Sequence, residues 1–282
     1  MAKKSALASK RPLSLSPAPP PRPGGGVGRP AGPGVATLSP VVRDTLQDQA
    51  YNKLREALMV GLIMPGHNLT LRATAEVMGT SPMPVRDAVR RLEIEHALVA
   101  RSNRTLAVPE MTYASLMELR EVRVALEGLA AEKAALLITP EELEEVDARL
   151  QAMTAAASAD DTGAYLRANW AFHSAIYRAA RSHLLLSMIE PTWMRIGPYV
   201  RLMLPNRDSL IASLGNHVRA LEALRRRDQT TARQAIGQDI CDSAEGLANM
   251  LRIREDRKSD EGEAKEERSP SRRSSKRPLS PR

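Results

Sequence analysis

The chain has 282 residues, enough for about two domains of ordinary size. Hydrophobic residues make up 43% but aromatics only 3%, so packed cores must be built from Leu, Ala, Val and Met, which suits helices better than sheets. The single Cys241 excludes an internal disulfide and fits a reducing cytoplasm, and no uninterrupted apolar run is long enough to cross a bilayer.

The formal charge of +8 sits mainly at the two ends. The first forty residues carry Lys3, Lys4, Lys10, Arg11, Arg22 and Arg29 and no acid. They include PAPPPRPGGGVGRPAGPG, which has no apolar period and is expected to be disordered; without an apolar core it is not a secretory signal. Residues 256–282 hold nine bases against six acids and are expected to form a second disordered tail. Its ERSPSRRSSKRPLSPR ending has the Ser/Arg composition of some RNA-associating segments, although a solubilising extension is the favoured reading. The middle of the chain is close to neutral, so a motif, not the isoelectric point, must carry any nucleic-acid reading.

Residues 41–110 supply that motif. A helix is expected from Asp44 to Val60, with Ala50, Leu54, Ala57 and Leu58 on one stripe and Gly61 and Pro65-Gly66 closing it. Thr70 then caps a short helix whose face is Leu71, Ala75 and Met78, and Gly79 stops it. A second helix starts at Ser81 with Pro82 and Pro84 in its first turn, where a missing N–H costs little. Val85, Ala88, Val89 and Leu92 form its buried face, while Arg86 and Arg90 share another. Two strand-like runs, Leu98–Ala100 and Thr105–Val108, flank the basic Arg101-Ser102-Asn103-Arg104. Helix, turn, helix and basic hairpin make a winged helix-turn-helix, in which Arg86 meets a base edge or a phosphate of double-stranded DNA.

Residues 111–255 read as an all-α bundle, so the fold class is mainly α. Helices are expected over Thr112–Leu137, from the Thr139-Pro140-Glu141-Glu142 capping box, and over Thr162–Arg181, Leu184–Met203, Asp208–Arg227 and Gln229–Arg254. Polar residues interrupt their apolar stripes. Arg123 falls among Leu116, Leu119, Leu126 and Ala130, either paired with Glu127 one turn on or free to bind the carboxylate of a small ligand. Asn169 and His173 lie with Leu166, Ile176 and Ala180; His217 with Leu210, Leu214, Leu221 and Leu224; Asp239 with Ala232, Ile236 and Ser243. Each alone is more often a hydrogen-bonded core residue, but together they make a His₂-plus-oxygen set for a divalent cation such as zinc, nickel or manganese.

The stretch AYNKLREALMVGLIMPGHNLTLRATAEVMGTSPMPVRDAVRRLEIEHALVARSNRTLAV resembles the N-terminal domain of GntR-family transcription regulators. The resemblance implies DNA contacts by Arg72, Ser81, Arg86 and Arg90, and by Arg104 in the wing. Pro82 stands where many relatives have arginine, and Asn103-Arg104-Thr105 replaces a more usual Arg-Gly tip. ELREVRVALEGLAAEKAA, NWAFHSAIYRAA and NHVRALEALRRRDQTTARQAIGQDI resemble the FCD ligand-binding domain of the FadR-type subfamily. That likeness implies metal ligation by Asn169, His173 and His217, with Asp239 where the last histidine is usual, and an organic acid held beside the metal by Arg123.

One winged head reads only half of a near-palindromic operator, so a homodimer is expected. The sequence therefore reads as a cytoplasmic regulator whose operator binding responds to a small organic acid. The alternative is a metal-dependent hydrolase built on the His/Asp cluster.

Overall fold

The computed structural model describes residues 45–101, 105–204 and 206–267, with side chains as far as residue 255. The expectations for residues 1–40 and for the end of the C-terminal tail fall outside that range.

Helix α1 (Leu46–Met59) starts at a capping box: the Thr45 hydroxyl accepts from the Asp48 N–H at 3.2 Å, and the Asp48 carboxylate accepts from the Thr45 N–H at 3.2 Å. Its expected stripe is buried at Ala50, Leu54 and Leu58. Strand β1 (Leu69–Thr70) runs directly into α2 (Leu71–Val77), so Thr70 ends a strand and caps a helix, accepting from the Ala73 N–H at 3.2 Å. Gly79, at φ +64, takes the left-handed turn into α3 (Pro82–Ile94), which buries Val85, Ala88, Val89 and Leu92. Strands β2 (Val99–Arg101) and β3 (Thr105–Ala107) complete an antiparallel sheet of order β1-β3-β2, in which Leu106 faces Leu69 on one side and Ala100 on the other. β1 was not expected; at two residues it is too short to show an alternation. Tyr51 fastens α1 to α3, donating to Glu95 at 2.9 Å beneath the Arg91 guanidinium, 3.7 Å from the ring centroid.

The second part is helical throughout its described residues: α4 (Tyr113–Leu137), α5 (Pro140–Ser158), α6 (Thr162–Ala179), α7 (His183–Met203), α8 (Arg207–Arg225) and α9 (Gln229–Glu267). Thr112 and Thr139 cap α4 and α5 through reciprocal bonds, and proline opens α5 as its missing N–H permits. α4 lies along α9, α5 packs on α6 and α8 on α9, while α7 touches both the bundle and α1. α7 continues through Pro191 and Pro198. α9 runs to Glu267, beyond the expected end at Arg254, so the first part of the tail expected to be disordered is helical, through a charged stretch whose five Glu, two Lys and one Ala are good helix formers. The architecture is thus mainly helical, a winged helix-turn-helix with a small three-stranded sheet joined to a helical bundle.

The joint between them is close. Gly197 of α7 lies directly on the last turn of α1: a Cβ there would come 2.6 Å from the Met59 carbonyl oxygen and closer still to that of Leu58. Gly61, at φ +66, faces the Gly197 carbonyl from the other side, where a Cβ would lie 2.9 Å away. Arg55 pairs with Glu190 at 2.7 Å, and Tyr199 donates to the Pro109 carbonyl at 2.6 Å while accepting from the Met111 N–H at 2.8 Å. Gly197→Ala is therefore expected to push α1 off α7, lowering stability in chemical denaturation by about 1–3 kcal/mol and increasing proteolysis in the 61–68 loop. Wild-type stability and cleavage in the variant would show that the two backbones are free to separate.

Candidate functional site

On the head, Arg72, Ser81, Arg86 and Arg90 are all solvent-exposed. Arg86 and Arg90 line a groove of about 330 Å³ between α3 and the wing sheet, with Leu71, Ala100 and Thr105 on its other walls. Ser81 is the N-cap of α3, yet its side chain caps nothing. The usual donor at the third helical position is absent because that residue is Pro84, so the Ser81 hydroxyl remains available at the tip of the helix. Arg104 lies outside the described residues.

In the bundle, α6, α8 and α9 bring Asn169, His173, His217 and Asp239 together. The imidazole Nε2 atoms of His173 and His217 are 3.1 Å apart. The Asn169 Oδ1 is 2.9 Å from the His217 Nε2, and the Asp239 carboxylate bridges the two rings, 3.4 Å from the His173 Nε2 and 3.5 Å from the His217 Nδ1. Both histidines are buried and the Asp239 side chain is 13% exposed.

The surrounding hydrogen bonds decide where the imidazole protons are. His217 Nδ1 lies 2.8 Å from the Ser213 carbonyl, which can only accept, so the proton of the neutral ring is on Nδ1 and the Nε2 carries a lone pair. His173 Nδ1 lies 3.0 Å from the Tyr177 hydroxyl, whose own proton goes to Glu127. Tyr177 must therefore accept, and His173 too presents a lone pair at Nε2. The two Nε2 lone pairs and the Asn169 amide oxygen thus converge with no hydrogen between them, with the Asp239 carboxylate beside the His173 Nε2 on one side and the His217 Nδ1 on the other, an arrangement that could hold a cation. Burial, reinforced by His173, holds the His217 pKa below its ordinary value against the opposing pull of Asp239, so a proton is disfavoured there. Burial pushes Asp239 up, but His217, His173 and Arg123 outweigh it and hold the carboxyl below its usual range, which keeps it anionic.

These donors fit a divalent ion. Ligand atoms bound at about 2.1 Å to one metal lie about 3.0–3.4 Å from each other; three of the pairs here are 2.9, 3.1 and 3.4 Å apart, and the ligand atoms of His173, His217 and Asp239 all lie within 4.8 Å of one another. A cavity of about 20 Å³, lined by Arg123, Asn169, His217 and Asp239 among others, gives the space of one ion or one water. The hydrogen bonds on the far nitrogens of both rings are the outer-shell support that metal-binding histidines require.

Arg123 is paired with Glu127. Its Nε and Nη2 donate to Glu127 at 2.6 and 3.2 Å, and its guanidinium stacks 4.8 Å from the Trp193 ring centroid. Burial pulls the Arg123 pKa down, but Glu127 more than compensates and the group stays charged. Glu127 also accepts from Tyr177 and, at 3.0 Å, from the Trp193 Nε1. Beyond the small cavity, and sharing Val200, Leu204, Ser213, Asp239 and Ser243 with it, is a wider pocket of about 320 Å³ that reaches Asn216 and Asp242.

Tyr177, Trp193 and Ser213 were missing from the sequence reading. One signal for them was available: in a chain with one Phe, two Trp and five Tyr, several of these rings sit at this centre. Phe172 meets both imidazoles edge-on, at 5.5 and 5.1 Å, and Trp193 lies 5.2 Å from His173.

Comparison with known proteins gives the arrangement its context. Residues 46–108 match the gntR family of bacterial regulatory proteins and residues 118–240 match the FCD domain. The HTH-type transcriptional regulator McbR of Escherichia coli K12 is 30% identical over 192 residues, 67% of this chain and 87% of that protein. The HTH-type transcriptional regulator YdhC of Bacillus subtilis 168 is 25% identical over 211 residues, 72% of this chain and 91% of that one. The solved structure of E. coli McbR/YncC matches with a TM-score of 0.69 at 29% identity, covering 73% of this chain and 98% of that chain. The hydrolase alternative accounts for none of this likeness and falls. Among the described residues no helix is long and apolar enough to cross a membrane. The chain belongs to the gntR family of bacterial regulatory proteins: it is a DNA-binding transcription regulator with a C-terminal FCD domain, not an enzyme.

Proposed function

We propose that the protein is a homodimeric regulator whose hold on a near-palindromic operator is set by a small organic acid bound beside a divalent metal in the helical domain. In this reading the head covers residues 41–110 and the ligand-binding and dimerisation domain residues 111–255. Arg72, Ser81, Arg86 and Arg90 face the duplex, with Arg104 in the wing.

His173, His217, Asn169 and Asp239 would hold the metal, a donor set that suits zinc, nickel or manganese. When bound, the ion supplies a positive charge to which a carboxylate can attach. Two neutral imidazoles, a neutral amide and one carboxylate leave a divalent centre with a single net positive charge, and Arg123 with Glu127 adds none, so one carboxylate balances it. Arg123 keeps Nη1 for that acid while Nε and Nη2 stay on Glu127. The rest of the ligand would occupy the pocket toward Asn216 and Asp242.

The observation that carries the coupling is the double role of α7. Trp193, Val200 and Leu204 line the small cavity, while Glu190, Gly197 and Tyr199 of the same helix hold α1 and the linker. A ligand that moves the first three residues moves the others with them, and the spacing of two heads on a dimer changes. The test is selection of bound sequences from random duplexes, with and without divalent ions and a panel of small carboxylic acids. A palindromic operator whose occupancy shifts with one acid is expected; occupancy indifferent to every acid and ion would refute the control.

Three outcomes check the parts. Protein purified without chelator should contain one divalent ion per chain, and an ion at a hundred times its dissociation constant should stabilise the fold by about 2.7 kcal/mol. His217→Ala should lose both the ion and the thermal shift. Because the His217 pKa is lower in the folded chain than the ordinary 6.5, the unfolded chain binds the extra proton. Stability of the metal-free protein should therefore be full above about pH 6.5 and fall as the pH drops below it; Asp239 adds a second loss below its ordinary 3.8. Protons also compete for the imidazoles, so metal affinity should fall through the same range. Arg86→Ala should cost about 1–3 kcal/mol of operator affinity and relax preference at one base pair; an equal loss on all sequences would make it a phosphate contact.

A further inference from the structure

We infer that Met83 is a base-reading residue, and that it recognises the 5-methyl group of a thymine in the base pair next to the one addressed by Arg86. The inference rests on α3 being the helix that enters the major groove and extends that reading to a residue and a chemistry not otherwise assigned.

Met83, Arg86 and Arg90 occupy positions i, i+3 and i+7 of α3, the face opposite the buried Val85, Ala88, Val89 and Leu92. Met83 is 57% exposed in the first turn, at the end that leads into the groove. A large apolar side chain gains nothing there from the protein's own core. The thioether has no strong hydrogen-bonding group, so among base edges its match is the thymine methyl, the one apolar group in the major groove.

The side chains of Met83 and Arg86 are already aligned as neighbours. The Arg86 Nη1 lies 3.8 Å from the Met83 Sδ, close to the 3.4 Å rise between successive base pairs. Two side-chain ends held at that separation address adjacent steps of one duplex. The flanking residues point the same way. Pro82 and Pro84 remove two of the three backbone N–H groups of the first turn, leaving the Met83 N–H and the free Ser81 hydroxyl for the backbone of the DNA. Pro82 also removes a side chain that could donate to a base at this end. The tip therefore reads shape and methyl groups where an arginine would read hydrogen bonds.

The test uses the full chain and its own selected operator. Each thymine is replaced in turn by uracil, which deletes the methyl and leaves the pairing intact, and binding is measured for the wild type, Met83→Ala and Arg86→Ala. One position in each half-site, adjacent to the base pair whose preference is lost in Arg86→Ala, should weaken wild-type binding about fourfold on conversion to uracil, the value of burying one methyl-sized group. Met83→Ala should bind the thymine and uracil operators equally while keeping the preference due to Arg86. Its exposure makes a folding defect unexpected, and an unchanged melting temperature verifies that. The assignment is overturned if no thymine next to the Arg86 position is methyl-sensitive, or if the sensitivity survives in Met83→Ala. A selection that enriches no sequence at all would instead remove the reading role of α3, and Met83 with it.

Discussion

The bundle depends on one fully buried carboxylate. Glu127 has no solvent-accessible surface and accepts from four donors: Arg123 Nε and Nη2, the Tyr177 hydroxyl and the Trp193 Nε1. Taking an ionised carboxylate out of water costs several kcal/mol, recovered only if its lone pairs are filled by well-placed donors, one of them a cation. Each donor then acquires a fixed orientation. Tyr177, committed to Glu127 as donor, is left only an oxygen lone pair for His173, and this sets the His173 proton on Nδ1 and its lone pair on Nε2. The hydrogen-free centre between the two imidazoles is thus a consequence of Glu127, two hydrogen bonds away.

The same carboxylate reaches the DNA-binding head. Trp193 is anchored to Glu127 at its indole nitrogen, and four residues later, one turn of α7, Gly197 lies against the carbonyls of Leu58 and Met59. A glycine is required there because a side chain would occupy the space of another helix's backbone. In the proposed control this contact would transmit displacement without a compliant side chain between, so that a shift of Trp193 along or about α7 would shift the last turn of α1. Since α1 is tied to α3 by Tyr51, Glu95 and Arg91, the recognition helix would follow.

Much of this was legible in the sequence, for reasons that differ by element. The cap at Thr112 and the capping box at Thr139 gave helix starts because a local hydrogen-bond pattern defines them. Helix ends were less accurate: α6 and α8 end at Ala179 and Arg225, each followed two residues on by an arginine, Arg181 or Arg227, in left-handed backbone at φ 54 and 55 without the glycine that normally marks such a stop, so both helices were extended onto these residues. The polar positions Asn169, His173, His217 and Asp239 were found because each interrupts an apolar stripe within its own helix, a signal that needs no knowledge of the neighbours. Tyr177 and Trp193 gave no such signal, since a ring on an apolar stripe is ordinary core; their roles arise only when α6 and α7 are packed against α4. Likewise the spacing that left Arg123 open between Glu127 and a ligand could not reveal that Glu127 itself serves three residues. The joint at Gly197 is a contact between distant backbones, and nothing in the local sequence announces it.

The size of that joint suits control. Its polar part is the Arg55–Glu190 pair, with side chains 29% and 22% exposed, and two hydrogen bonds made by the Tyr199 hydroxyl; beside these lie the close backbone contacts of Gly197 and a buried apolar cluster that includes Leu58, Met59 and Ile63 together with Ile196 and Tyr199. A partly exposed ion pair contributes about 0–1 kcal/mol and a typical hydrogen bond about 1 kcal/mol, so these polar contacts add a few kcal/mol to the apolar packing of the joint. Coupling between two sites in a regulated protein is commonly about 1–3 kcal/mol, the same order. Breaking the buried pair at Glu127 would cost about 3–5 kcal/mol, because it would leave an uncompensated charge in the interior. In the proposed control the two are complementary: the pairing at Glu127 would keep the histidine centre assembled, and the backbone contact at Gly197 would let its occupancy be felt at the DNA.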